Sequence, residues 1–479
     1  MVQSHLLQNL CGYIDGQWVG AAASKTFEVC NPATGDLLAV LPNLGAPDTR
    51  AAVVAADRAW RDFPSLETRE GWLMAIHDAL LREKQELARI ITLEQGKPLK
   101  ESLVEVDYSA GFFKFFASQI HNLAPSPLGE KIRGASWTVH HRPAGAVGLI
   151  TPWNFPLAML AKKFPAALAA GCGIVTKPAD LTPLTTIALW HILDGLKLPP
   201  GVANLVIGDA APIGDVLCTH PAVRLISFTG STEVGRTLIK TTAPHIKRLS
   251  LELGGNAPYI VMDDADLTAA ADALMANKFR CAGQTCVCAN RILVHAAVAD
   301  RFASEMARRV SALRVGNGMD ASTEIGPLIN RAAVEKVARH VEDAMACGAK
   351  RVAQASVDAS LTGTFYPPTL LDHLAEGSAM QQEETFGPIV AIRRFETEAE
   401  AVALANSTIY GLAAYLFTAD VSRIERMSRQ LSFGHVAVNT GTGPTPEAPF
   451  GGMKQSGYGR EGGIEGLLEY CEPQTVVVA

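Results

Sequence analysis

The apolar positions change their period several times along the chain, and each change predicts a change of element. Tyr13-Ile14-Asp15-Gly16-Gln17-Trp18-Val19 reads as a hairpin turning at Asp15-Gly16. Phe27-Glu28-Val29 leads as a second strand into the turn Asn31-Pro32-Ala33-Thr34-Gly35. From Asp48 to about Ala117 the apolar residues fall at helical spacing, as in Leu73, Ile76 and Leu80 and then Leu87 and Ile90, with a break at Gly96-Lys97-Pro98. Pro125-Ser126-Pro127 ends this helical layer, and the alternation in Trp137-Thr138-Val139-His140-His141 predicts an excursion of paired strands.

Between Val147 and Glu252, short apolar runs at 147–150, 173–176, 205–207, 225–228 and 248–251 alternate with helical patterns. Repeated strand, helix, strand predicts crossover units and a mostly parallel sheet, with ligands at the carboxyl ends of its strands. After Gly254 the alternation resumes, with helical faces at Phe302, Met306, Val310 and Leu313 and at Val334, Val337 and Val341, and strands near 389–392 and 415–417. The fold class is therefore α/β. The β-prone tail Thr475-Val476-Val477-Val478-Ala479 would be a bare edge unless paired, and pairing across subunits is expected.

Length and composition bound the function. A chain of 479 residues exceeds one compact core and fits two or three domains. Hydrophobic residues at 48% and charged residues at 19%, with no long biased tract, predict folded structure throughout. A net charge of -6 without a Lys/Arg cluster on a recognition helix argues against nucleic acid as a partner. The first twenty residues lack a basic segment followed by an apolar run, and no stretch of about 18 apolar residues appears, so no membrane association is expected and a cytoplasmic location is. Nine dispersed cysteines, an odd count, fit a reducing compartment rather than a disulfide framework. Cys281, Cys286 and Cys288 lack C-x-x-C pairing and nearby histidines, so no metal site is expected.

Five segments carry chemistry. Cys286, in Gly283-Gln284-Thr285-Cys286-Val287-Cys288, supplies a soft nucleophile, and Glu252, in Leu251-Glu252-Leu253-Gly254-Gly255, a carboxylate base. Together they can oxidise a carbonyl through a thioester and release it with water. A lone cysteine would carry no such weight, since cysteine commonly just fills core space. Gly230-Ser231-Thr232-Glu233-Val234-Gly235 follows an apolar strand and opens a helical pattern, either as an ordinary turn or as a pyrophosphate cradle at a helix N-terminus. Lys177-Pro178-Ala179-Asp180 closes another strand, where a cation and a carboxylate would suit an adenosine ribose with a free 2′-hydroxyl; Lys177 as a solvated strand end is the alternative. Asn154, in Thr151-Pro152-Trp153-Asn154-Phe155-Pro156, is placed either to cap a helix or to donate to a developing oxyanion.

Taken jointly, these segments, with Glu384-Thr385-Phe386-Gly387-Pro388 and Pro449-Phe450-Gly451-Gly452, resemble the aldehyde dehydrogenase superfamily over nearly the whole chain. Within it, Phe279-Arg280 and the run from Ala282 to Asn290 look most like succinate-semialdehyde dehydrogenases. The resemblance implies Cys286 as nucleophile, Glu252 as base and Asn154 as oxyanion donor. It implies cofactor contacts from Thr151, Pro152, Trp153, Lys177, Ala179, Asp180, Gly230, Ser231, Gly235, Leu253, Glu384 and Phe386, with NAD as cofactor and NADP left open because Asp180 is shorter than the family's usual glutamate. Substrate contacts are implied for Arg280, Lys162, Phe155 and Phe450.

It further implies a cofactor domain of residues 1–122 and 143–253, a catalytic domain of 254–455, and a small β oligomerisation arm of 123–142 and 456–479 serving a homodimer or homotetramer. Arg280 stands where the semialdehyde enzymes grip a distal carboxylate, and a guanidinium suits that task. A second family arginine is replaced by Lys162, which keeps charge and loses the fork. A family serine is replaced by Pro444, so glutarate semialdehyde or a less acidic aldehyde stays open as the substrate. Cys281 replaces the group's usual asparagine. Cys288, two residues past the nucleophile, is either a packed small hydrophobe or the partner of a reversible disulfide with Cys286. The rival functions are a CoA-acylating dehydrogenase, which Glu252 opposes, and a non-catalytic scaffold.

Overall fold

The computed structural model describes residues 2–21, 25–132 and 134–479; positions 1, 22–24 and 133, which the expected cofactor domain and arm include, lie outside the described residues. An eight-stranded sheet has five parallel strands at its centre, in the spatial order Arg248–Glu252, Val223–Thr229, Ala146–Ile150, Gly173–Lys177, Ala203–Leu205. The order reverses between Ala146–Ile150 and Val223–Thr229, and a crevice at such a switch point is where open α/β sheets bind ligands. The hairpin Gly12–Ile14 with Gln17–Val19 extends one edge antiparallel. Every central position of Ala146–Ile150 and Gly173–Lys177 is buried, which is why these strands read as continuous apolar runs.

The helical layer predicted from Asp48 resolves into Ala46–Ala59, Leu66–Arg82, Lys84–Gln95 and Leu99–Gln119, and Leu73, Ile76, Leu80, Leu87 and Ile90 all point into the first core. Gly96 ends the third helix in the left-handed conformation at φ +96°, and Pro98 opens the fourth. A second sheet of seven strands has Ala257–Val261 and Ala289–His295 at its centre and its own core, containing Phe302, Met306 and Val310 from the helix Ala296–Ser311.

Three expectations need correction. The fifth central strand is Ala203–Leu205 rather than 205–207, because the chain turns at Gly208 with φ +136°. Leu313 lies beyond the end of Ala296–Ser311. The stretch from 456 to 470 does not join the arm: Gly457–Tyr458 pairs antiparallel with Arg248–Glu252, and Leu467 and Tyr470 sink into the first core. Only Cys471–Val478 reaches the arm, where it pairs along its length with Ala135–Pro143 of its own chain, so one edge of the tail is satisfied without a second subunit. No helix among the described residues is long and apolar enough to cross a membrane.

Candidate active site

The carboxyl ends of the central strands bring the candidate residues to one edge. Ile150 stands in register with both Lys177 and Phe228, and Thr229 with Glu252, so Thr151, Lys177, Gly230 and Glu252 leave the sheet side by side. Gly230 passes into the helix Thr232–Thr242, whose first turn is capped by Ser231 Oγ accepting the Val234 N–H at 3.3 Å.

Cys286, the expected nucleophile, is presented by a contorted loop between the helix Leu267–Lys278 and the strand Ala289–His295. Cys281 and Ala282 are left-handed at φ +52° and +53°, followed by Gly283 at +75°. Such conformations cost of order 1 kcal/mol or more each for non-glycine residues and persist where neighbours hold them. The holds are visible. Glu101 accepts the Cys281 N–H at 2.7 Å, and the Gln284 amide donates to the Cys281 carbonyl at 3.0 Å and accepts the Ile329 N–H at 2.9 Å. A Cβ on Gly255 would lie 2.3 Å from the Cys286 carbonyl oxygen, so that position admits only glycine. The Cys281 side chain receives the Gln95 amide at 3.2 Å; asparagine, the family's usual residue there, adopts the left-handed conformation more readily.

Asn154 lies against this loop. Its amide donates to the Gln284 carbonyl at 2.8 Å, which leaves a second amide hydrogen for a ligand, and its backbone oxygen accepts Lys97 Nζ at 2.7 Å. Lys97 is fully buried and paired at 2.5 Å with the equally buried Glu105, whose other oxygen accepts the N–H groups of Leu157 and Ala158. Asparagine here is therefore no simple cap: its side chain serves the nucleophile loop and its backbone is clamped from beneath.

Two cavities meet at the thiol. One, of about 720 Å³, is lined by Phe155, Lys162, Arg280, Tyr108, Met159 and Pro444 among others; the second, of about 330 Å³, by Pro152, Trp153, Gly230, Ser231, Leu253, Glu384 and Phe386. Cys286, Asn154 and Met159 belong to both walls. Trp153 and Phe386 meet edge to face at 5.5 Å beside the smaller cavity.

Burial dominates the electrostatics. It pushes the Cys286 thiol up to about 12, with Lys162 opposing and Glu384, Glu252 and Glu461 reinforcing the rise. Glu252 is raised well above the usual carboxylate range by burial and then by Glu461, while Lys163, Lys162 and Arg460 oppose. Glu461 is held ionised because Lys163 at 2.5 Å and Lys162 at 3.5 Å outweigh its burial. Glu384, accepting the Gly255 N–H at 3.1 Å, is raised to about 7 by burial.

Several expected residues are not on the cavity walls. Glu252 lines neither cavity, and neither of its carboxyl oxygens is hydrogen-bonded among the described residues, so no polar contact restrains its rotation. Thr151, Lys177, Ala179 and Asp180 lie beyond the smaller cavity, with Lys177 and Asp180 paired to each other. Gly235 serves packing, since a Cβ there would strike Leu253 at 2.6 Å. Phe450 touches Lys162 rather than the cavity, its ring centroid 4.3 Å from the ammonium. Cys288 is buried, its Sγ directed at the carbonyls of Ala289 and Lys278 at 3.4 and 3.8 Å and its thiol raised by burial. The premise of a low-pKa, exposed sensor pair is therefore overturned.

Sequence reading missed Lys97, Glu105, Lys163, Glu461 and Lys336. A pair of lysines inside an otherwise apolar run was the available signal for Lys163, whereas Glu105 stands among other charges at Lys100, Glu101 and Asp107. Lys336 lines the smaller cavity and donates to the Glu384 carbonyl at 2.7 Å, and nothing in its own segment marks it.

The geometry suits a dinucleotide. The smaller cavity lies at the switch point, a helix N-terminus faces it, and the buried Thr151 hydroxyl at the strand end has no partner among the described residues. Comparison with known proteins agrees. The chain is 46% identical over 463 residues, 96% of its length and 88% of the relative's, to a mitochondrial succinate-semialdehyde dehydrogenase of Arabidopsis thaliana. It is 43% identical to a glutarate-semialdehyde dehydrogenase of Pseudomonas aeruginosa, covering 96% of this chain and 95% of that one. The crystal structure of a succinate-semialdehyde dehydrogenase from Burkholderia pseudomallei superposes with a TM-score of 0.97 at 44% identity, covering 100% of this chain and 99% of that one. Residues 18–476 match the sequence profile of the aldehyde dehydrogenase family, and the chain belongs to that family.

Proposed function

We propose that the protein oxidises an aldehyde with an anionic tail, succinate semialdehyde first, to the carboxylate through a thioester on Cys286 that water hydrolyses. The observation that carries this reading is the place of Cys286, on the shared wall of a cavity with a cation at its mouth and a cavity suited to a dinucleotide.

Attack of the Cys286 sulfur on the aldehyde carbon forms a C–S bond and an alkoxide, to which the free Asn154 amide hydrogen donates. Trp153, Gly230, Ser231, Leu253, Glu384 and Phe386, with Lys177 and Asp180, would hold NAD(P), which would supply the hydride acceptor that conversion of the alkoxide to a thioester needs. Glu252 then turns toward the thioester and takes a proton from the attacking water, and its raised proton affinity suits a base. The free carboxylate leaves and the thiol is regenerated. Lys97 and Glu105 act earlier, fixing the Asn154 backbone so that its amide needs no reorganisation.

NAD is the preferred cofactor in this reading, because the Asp180 carboxylate repels a 2′-phosphate; its pairing with Lys177 softens that repulsion and leaves NADP usable. A second substrate reading, glutarate semialdehyde, is favoured by the wall at Gly443 and Pro444, which brings no hydroxyl to the tail and leaves room for a longer chain. The Cys286–Cys288 disulfide becomes slow chemistry that needs the loop to open, and recovery of peroxide-treated protein by thiols in the wild type but not in Cys288→Ala would support it.

The arm of Ser126–Ile132, Ala135–Pro143 and Cys471–Val478 is exposed over most of its length and leaves Leu128, Ile132, Val477 and Val478 in solvent, which supports a homodimer or homotetramer. Nine unpaired cysteines accord with a cytoplasmic location.

Steady-state rates with succinate, glutarate and uncharged aldehydes, each with NAD and NADP and with and without CoA, test the proposal. Strong preference for the acidic aldehydes without CoA supports it. Equal rates with uncharged aldehydes, or a CoA requirement, would refute it.

A further inference from the structure

Two cations border the aldehyde cavity, and the structure surrounds them differently. Arg280 is exposed beside Gly443 and forms no ion pair among the described residues; its guanidinium lies over the Phe155 ring, 5.4 Å from the centroid. Lys162 is only 5% exposed. Its ammonium lies 3.5 Å from Glu461 and against the Phe450 ring, so the protein answers its charge in part before any substrate enters.

Charge counting gives that arrangement a purpose. Lys162 and Lys163 share the single carboxylate of Glu461, leaving one positive charge in excess in a water-poor cluster. Two groups that take on negative charge during the reaction face the same cluster: the Cys286 sulfur, on the cavity wall with Lys162, and the Glu252 carboxyl, next to Gly451 and without a hydrogen-bond partner among the described residues. The other titratable or charged groups facing Lys162 are Tyr108 and His435, with Arg460 on the side of Glu252 and Glu384 on the side of Cys286. Most of these neighbours cannot balance a new anion, being neutral or negative. A cation within about 4–6 Å favours the ionised form of a thiol or carboxyl by about one to three pH units, and Lys162 acts in that direction on both Cys286 and Glu252.

We propose that Lys162 is an internal counter-charge that stabilises the ionised Cys286 and Glu252, and that Arg280 alone grips the anionic tail of the substrate. The inference rests on the aldehyde-oxidising reading and departs from the expectation that Lys162 stands in for a second tail-binding arginine. Lys162 is on this view a positioning residue, acting through the sulfur and the carboxyl. Its fork-less ammonium is suited to the task because a point charge needs no bidentate partner.

The test compares Lys162→Met, Lys162→Arg and Arg280→Ala with the wild type, using succinate semialdehyde and the uncharged butanal. It also follows the pH dependence of Cys286 alkylation by iodoacetamide without substrate. Lys162→Met is expected to lower kcat/KM by a similar factor, about ten-fold or more, for both aldehydes, and to raise the alkylation midpoint by about one pH unit or more. Lys162→Arg restores most of both. Arg280→Ala raises KM for succinate semialdehyde about ten-fold or more and leaves butanal unchanged.

A Lys162→Met enzyme impaired only toward the anionic aldehyde, with an unmoved alkylation midpoint, would overturn the inference. Should methionine prevent folding, Lys162→Gln is read the same way. If the wild type oxidises neither aldehyde, the functional reading fails, and the alkylation midpoint still decides the role of Lys162.

Discussion

The ammonium of Lys97 bridges the Glu105 carboxylate at 2.5 Å and the backbone oxygen of Asn154 at 2.7 Å, and it lies 3.6 Å from the centroid of the Phe155 ring. Glu105 closes the other side by accepting from Leu157 and Ala158. One buried ion pair therefore fixes the oxyanion donor and a wall of the aldehyde cavity together. Removing a single partner strands a buried charge, which typically costs about 3–5 kcal/mol. Lys97→Met should lower the unfolding free energy by that order and reduce kcat. The double variant Lys97→Met/Glu105→Gln should regain stability without regaining kcat, because the backbone of Asn154 is still released. Urea unfolding and steady-state rates measure both.

Asn154→Ala should lose about 2.7–4 kcal/mol of transition-state stabilisation, a fall of roughly 10²- to 10³-fold in kcat. The readout is kcat at saturating aldehyde, with cofactor affinity measured in parallel by protein fluorescence. Affinity should change far less than kcat, since Asn154 meets the cofactor cavity only on the wall it shares with the aldehyde cavity.

Cys286 and Glu252 both act deprotonated, and burial raises both. The active fraction therefore grows with pH, and kcat/KM should rise from pH 6 into the alkaline range. A profile that falls across this range would contradict the assignment.

Glu384 points the other way for stability. Its folded value near 7 exceeds the ordinary 4.5, so the folded protein holds this proton where the unfolded chain has lost it. Its contribution to stability is greatest below about pH 4.5 and declines as pH rises to about 7. Glu384→Gln should make the dependence of unfolding free energy on pH shallower between pH 5 and 7.5, measured by urea titration at several pH values.

The parallel strands were legible because burial on both faces leaves continuous apolar runs, while Asp15-Gly16 marked the antiparallel hairpin and Gly96-Lys97-Pro98 the break between two helices. That Cys286 and Asn154 share a cavity wall was implied by the family resemblance of their segments rather than by local periodicity. The clamp was not. Lys97 read as part of a break and Glu105 drew no reading of its own, and only the tertiary fold shows that both are buried. The same holds for Glu461, whose partners lie 298 residues away in sequence. The segment from 456 to 470 misled because two short elements pack into a distant sheet, a relation that local periodicity does not encode.

The most direct test of the thioester pathway uses Glu252→Gln, mixed rapidly with succinate semialdehyde and NAD and followed by absorbance and intact mass. With the base removed and the nucleophile kept, one equivalent of NADH per site should form in a burst, turnover should stall, and the protein should gain the mass of a succinyl group on Cys286. Steady NADH production with no adduct, or an adduct on another residue, would contradict the account.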